Sequence, residues 1–248
     1  MKLPHCLLLA ALLLLAGTTR SFAATADYGA LQSKATLFYD NDEWASALAM
    51  YTLMIDERPS VVDNYSHAIV AASLAGDTAR TMQLLEQSTK ARVPLDSLYD
   101  SIRRLAFNQG NALIYEHFLK NAATTFPWLK RNIDARLLQY YIWRRDGEGM
   151  VQYATIMLNG LPDDIDFLTA LADGYFSLGD NTRAVQTYTY LLAIDPDNYH
   201  ALLVLGNYYH DIAAGDKSDI QSRELAREYL TRAYRLRPTP FLATLLHQ

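Results

Sequence analysis

Apolar residues along the chain recur at helical spacing and then stop, again and again. Leu171, Ala172 and Tyr175 lie three and four residues apart and predict one helical face. Leu178-Gly179-Asp180 ends that helix, with Gly179 free to take the left-handed conformation at the stop. Ala184, Tyr188, Leu191 and Leu192 then form the apolar face of a second helix. Asp195-Pro196-Asp197-Asn198 turns the chain, because proline cannot continue the hydrogen-bond ladder and Asp or Asn can cap the next helix. The pattern restarts at once with Leu202, Leu205, Gly206 and Tyr209.

The prolines show that this unit repeats. Pro59, Pro94, Pro127, Pro162, Pro196 and Pro238 are separated by 35, 33, 35, 34 and 42 residues. A period near 34 with two helices per period marks a helical repeat array. Gly179-Asp180, Ala184, Tyr188 and Asp195-Pro196 resemble the tetratricopeptide repeat at its own spacing. The same frame fits Leu31, Ala35, Phe38, Trp44, Ala47, Tyr51 and Pro59 at the start. It fits Gly206, Tyr209, Ala226, Leu230, Ala233 and Pro238 at the end. Between them it takes Gly76-Asp77, Leu84 and Leu85, then Gly110-Asn111, Leu119 and Ala122, then Leu137, Leu138, Tyr141, Val151 and Leu158.

The resemblance implies an all-α fold, a right-handed α-solenoid of antiparallel helix pairs. Residues 24–248 are expected to form one such array, with units near 28–61, 62–95, 96–130, 131–164, 165–198 and 199–240. The last unit carries about eight extra residues in an insert near 211–222. Several positions depart from the frame. Arg103 stands where close helix packing wants a small residue. Thr81 and Ser88, and Met150, Ala154 and Met157, replace the usual alternation of small and large side chains.

The first residues show another pattern. Lys2 precedes an apolar run from Leu7 to Ala16, and small residues come next around Ala23 and Ala26. This is the layout of a secretory signal peptide over 1–23, with cleavage after Ala23 or Ala26. Its apolar core is about half the roughly 20 residues of a spanning helix, so no stable membrane insertion is expected after cleavage. Cys6, the single cysteine, lies ahead of that core. The mature chain is therefore expected to have no disulfide, thiol nucleophile or thiolate metal ligand. An exported bacterial chain, periplasmic or secreted, is expected, the periplasm suiting a cysteine-free chain better than an animal extracellular space.

The whole chain carries a net charge of −5, and loss of Lys2 and Arg20 makes the mature chain −7. An acidic chain without a long basic run is not expected to bind nucleic acid. Arg232, Arg235 and Arg237 read as cations at a helix C-terminus. No HExxH, GxSxG or glycine-rich phosphate loop occurs. His200 and His210 are too far apart along a helix to share a metal ion. The acidic runs Asp40-Asn-Asp42-Glu43 and Asp163-Asp164-Ile-Asp166 read as helix caps. No catalytic residue, metal or cofactor is expected.

First helices of the resemblance line an inner groove. Its helix register places Tyr39, Arg104, Phe107, Gln139, Trp143, Asp173, Phe176, Asn207 and His210 there, with Gln32, Thr36, Ile142, Thr169 and Leu203 beside them. Such a groove suits an extended peptide or partner helix. The resulting expectation is an exported, non-catalytic scaffold that binds a partner protein. A holdase-like binder of unfolded exported chains and a self-associating envelope component are the alternatives. Most tyrosines are expected in the core, with the hydroxyl reaching a polar group.

Overall fold

A computed structural model describes residues 28–246, so the expected leader lies outside the described residues. The described residues are helical, with no strand among them. The chain divides into two compact units that meet in sequence at Lys130 and Arg131.

The first unit holds three helix pairs. Helix α1 (28–40) precedes α2 (Trp44–Glu57); α3 (Val62–Leu74) precedes α4 (Thr78–Lys90); α5 (Leu95–Asn108) precedes α6 (Leu113–Thr125). Helix α3 packs on α2, α4, α5 and α6, which puts Tyr65, Ile69, Leu84, Leu85, Leu98 and Tyr99 wholly out of solvent. A 3-10 turn, Pro127–Leu129, ends the unit.

The second unit repeats the plan. Helix α7 (Lys130–Arg144) precedes α8 (Gly147–Leu158); α9 (Ile165–Ser177) precedes α10 (Asn181–Ile194); α11 (Tyr199–Gly215) precedes α12 (Ile220–Leu236); and a short α13 (Pro240–Leu246) comes last. Each helix from α8 to α12 packs on its successor in sequence. The core runs through Leu168, Ala172, Tyr188, Leu191, Leu202, Leu205, Leu230 and Leu242.

The repeat is plainest in the backbone of the turns. Inside the helix pairs, left-handed residues stand at 42, 76, 110, 145 and 179, spaced by 34, 34, 35 and 34, while Arg92, between α4 and α5, is a further one off this period. At each, two amides of the turn bond back to the preceding helix, as in Gly179 N to Phe176 O at 3.0 Å and Asp180 N to Tyr175 O at 2.9 Å. Glycine occupies three of these places, whereas Asp42 and Arg145 hold φ of 61° and 55° with a side chain present. The sixth turn would fall at Ala213. There α11 continues instead, so the expected insert becomes a hairpin of two 17-residue helices.

Capping follows the acidic residues in most places. Asp77, Asp146 and Asp164 accept from Arg80 N, Gly149 N and Phe167 N at 2.8, 3.0 and 3.1 Å. Asn198 and Asp219 do the same for α11 and α12. The run Asp40–Glu43 is a correction: Glu43 makes no side-chain cap bond, and Asp42 instead supplies the left-handed turn. Replacing Asp164 by Ala removes two bonds to the first turn of α9. Thermal denaturation should register a loss of about 1 kcal/mol.

The departures from the frame have local answers. Thr81 and Ser88 are buried but satisfied, by Asp77 O at 2.9 Å and Leu85 O at 2.7 Å. Arg103 is exposed, and within the contact between α3 and α5 the Ser101 hydroxyl donates to Ser66 Oγ at 3.0 Å. Around α8, glycines take over the close approach. A Cβ on Gly174 would lie 2.9 Å from Val151 Cγ2, and one on Gly147 would lie 2.9 Å from Leu178 Cγ.

Candidate functional site

In the second unit the inner faces of α7, α9 and α11 bound a cleft of about 460 Å³. Ile142 comes from the last turn of α7 and Arg145 from the turn that follows it, Asp173, Phe176 and Ser177 from α9, and Val204 and Tyr208 from α11, with Met150 of α8 also in the lining. The spacings of three and four residues within each helix put these side chains on one face. Phe176 and Tyr208 rings meet at 5.4 Å between centroids, tilted by 52°. The apolar walls carry one cation, Arg145, and one carboxylate, Asp173.

Asp173 is held by two neighbours. The Tyr188 hydroxyl donates to Asp173 Oδ1, and His200 Nε2 lies 3.3 Å from the same oxygen and 2.9 Å from the Tyr188 hydroxyl. Three helices, α9, α10 and α11, thus meet at one carboxylate. Burial, and then donation to Asp173, push the Tyr188 phenol far above its ordinary value. The hydrogen bond to Asp173 pushes the His200 imidazole up, against the pull of burial.

Expected groove residues divide between the units. In the second, Asp173 and Phe176 line the cleft, and Ile142 joins them. Gln139 is exposed on α7, and Trp143, 59% exposed, lies one residue round the helix from Ile142. Neither forms the cleft wall. Asn207 is half-buried beside Tyr208, and His210 lines a different cleft toward α13. Sequence reasoning missed Arg145, Met150, Ser177, Val204 and Tyr208. The signal for Arg145 was its place at the turn position that glycine holds in other pairs.

In the first unit Tyr39 is a correction. Its ring is 5% exposed and sits among Trp44, Tyr51 and His67 at centroid distances of 5.3, 6.2 and 5.1 Å. It is core because three aromatic neighbours close over it. Arg104 is exposed, with its guanidinium donating to Ser101 Oγ at 3.2 Å. Phe107 is half-buried, 5.9 Å from the Arg103 guanidinium. His67 stacks on Tyr51 at 4.9 Å, and its Nδ1 lies 2.7 Å from Asp63 O. Burial lowers the His67 pKa, opposed by that carbonyl.

The two histidines give opposite pH responses. The raised His200 favours its charged form in the fold. Its stabilisation is complete below about pH 6.5, the unfolded value, and is lost as pH rises through the folded one. Lowered His67 favours the neutral form. Its contribution is intact above about pH 6.5 and is lost as pH falls toward its depressed folded value. Thermal melts between about pH 5 and 8 check both. The gap between wild type and His200→Gln should narrow as pH rises. His67→Gln should remove part of the loss of stability on acidification.

Among the described residues no group of three or more His, Asp or Glu is placed to hold a metal ion. No described helix is long and apolar enough to cross a membrane.

No family model matches the chain, and the search of curated proteins gives no match. Solved structures do match. One is a protein from Bacteroides ovatus, at 17% identity over 75% of this chain and 95% of that chain, with a TM-score of 0.51. Another is the C-terminal part of a TPR repeat-containing protein from Cytophaga hutchinsonii, at 14% identity, covering 82% and 77%, with a TM-score of 0.47. A third is a tetratricopeptide repeat protein from Parabacteroides merdae, at 16% identity, covering 94% and 88%, with a TM-score of 0.40. The helix pairs and their regular turns give the class: an all-α repeat fold of tetratricopeptide type.

Proposed function

We propose that this chain is an exported, non-catalytic scaffold that binds an extended segment of a partner protein in the cleft between α7, α9 and α11. The observation that carries this reading is the cleft itself. Ile142, Met150, Phe176, Val204 and Tyr208 offer apolar and aromatic contact, while Arg145 offers a cation with no ion-pair partner among the described residues. Aromatic anchors flanked by a few fixed polar groups are what concentrate binding energy in peptide recognition. Export is supported by the leader pattern over residues 1–23. The mass of the chain recovered from its host's envelope, starting at Ala24 or Asp27, tests that part.

The binding reading is tested by panning a displayed library of peptides, each roughly 12 residues long or about 40 Å when extended, against the mature chain. Enriched peptides should bind Phe176→Ala and Tyr208→Ala about tenfold more weakly than wild type. Equal binding by both variants contradicts the site.

Arg145 separates stability from binding. A non-glycine residue in the left-handed region costs about 1 kcal/mol, and Arg145 sits there with φ 55°. Arg145→Gly should therefore raise the melting temperature of the second unit and weaken the same peptides. A variant less stable than wild type would show that the guanidinium has a structural role instead.

A further inference from the structure

The last hairpin of the second unit is longer than the helix that covers it. Helices α11 and α12 each run for 17 residues, and α13 for seven. At 1.5 Å per residue these span about 25 Å and about 10 Å. Leu242 of α13 is fully buried in the core that holds Leu230 and Ala233. Beyond it, the added turn of α11 and the start of α12 form a cleft of about 730 Å³, closed at one end by Leu245 and Leu246. Elsewhere in this unit, from α8 to α12, each helix is packed on by the next.

The cleft has a distinct chemistry. Its floor is Ala213, Ala214, Ala226 and Leu230, with side chains small enough over most of its length for another backbone to approach closely. Its rim carries three cations, Lys217, Arg223 and Arg227, with His210 beside them. Neither Lys217 nor Arg227 is ion-paired among the described residues. Arg223 instead donates to Lys217 O at 2.6 Å, which pins the loop between the helices. Glu228 on α12 is engaged by Arg232 at 3.5 Å, and His210 lies 3.6 Å from Asp211. The chain as a whole carries a net charge of −5, so a rim of this sign is local.

We infer that this second cleft, between α11, α12 and α13, docks an acidic amphipathic helix of a partner protein. That helix lays its apolar face on Ala213, Ala214, Ala226 and Leu230, and its carboxylates face Lys217, Arg223 and Arg227. A helix fits because the cleft is bounded by the paired helices α11 and α12 and by the last residues of α13. An acidic one fits because Lys217, Arg223 and Arg227 make no ion pair among the described residues. Docking here is independent of any peptide in the α7–α9–α11 cleft.

The test uses the full mature chain and two labelled synthetic helices of about four turns, roughly 14 residues each. Both carry Leu at successive three- and four-residue spacings; one has Glu at its other positions and the second has Lys. Fluorescence anisotropy should show the Glu peptide binding, and binding should weaken several-fold between about 50 and 300 mM salt. The variant Lys217→Glu/Arg227→Glu should bind about tenfold more weakly, with an unchanged melting curve. Phe176→Ala should bind this peptide as wild type does, which separates this cleft from the other. No binding, equal binding of the Lys peptide, or full binding by the double variant overturns the inference. Sedimentation of a dimer that the double variant disperses also overturns it, since a second copy would then be the occupant.

Discussion

Replacing Gly149 by Val should destabilise the second unit more than any surface change, by about 3 kcal/mol. A Cβ at this position would lie inside the Tyr141 ring, with Cδ2 at 2.6 Å. The ring cannot withdraw easily. Tyr141 is 6% exposed, stacks on Tyr153 at 5.5 Å and 17°, and meets Tyr140 edge-on at 5.3 Å. Gly149 also donates its amide to Asp146, so the first turn of α8 is fixed where it stands. Either α8 moves off α7 or Tyr141 leaves its place. Denaturation monitored by circular dichroism should show the transition of this unit lowered by about 10 °C. Gly29→Val is the control, because a Cβ there meets nothing within 4 Å. An equal effect at both positions would mean that the close approach is not the constraint on Gly149.

Tyr188→Ala should cost about 4 kcal/mol. Tyr188 is fully buried, belongs to the core with Leu191, Leu202 and Leu230, and has its ring 6.0 Å from that of Phe176. Truncation opens a cavity and removes the donor to Asp173, leaving His200 to hold that carboxylate from across the helices. Tyr188→Phe keeps the ring and removes only the hydroxyl. It should cost about 1–3 kcal/mol. The two melts divide the residue's contribution into packing and hydrogen bonding. A phenylalanine variant as unstable as the alanine one would place the whole effect in the hydroxyl. Because Phe176 leans on this ring, the alanine variant should also lose peptide binding in the α7–α9–α11 cleft.

Much of this architecture is written in local signals. The proline period and the Gly-Asp pairs mark helix ends because glycine, proline and carboxylates each act within a few residues. Gly76, Gly110 and Gly179 therefore stand where the turns are. Asp42 and Arg145 adopt the same backbone without the same residue, so only coordinates show that the turn recurs in every pair before the last. The lengthened α11 was legible as extra residues, but Ala213-Ala214 could equally have been loop; α12 running alongside makes them helix.

Part of the lining of the α7–α9–α11 cleft is legible in the sequence. Helix periodicity put Asp173 and Phe176 on the inner face, and it put Ile142 there too. It does not fix rotation to within one residue, so Trp143 is expected beside Ile142, and Leu203 and Asn207 in place of Val204 and Tyr208; Arg145 lies in the left-handed turn after α7, outside any helical register. A helix turns by about 100° per residue, and a register error of one therefore exchanges wall for flank. Tyr39 went the other way. Its partners Tyr51 and His67 are 12 and 28 residues distant in sequence, and burial by such neighbours leaves no local trace. The meeting of Asp173, Tyr188 and His200 is likewise a product of three helices.

The most direct test of the account is amide hydrogen exchange on the mature chain, with and without a peptide enriched against it. Bound peptide should slow exchange in the segments around Ile142 to Arg145, Asp173 to Ser177 and Val204 to Tyr208, and leave α4 and α6 unchanged. Slowing confined to α4, α6 or another outer helix would contradict the central claim that the inner faces of the repeat form the binding surface.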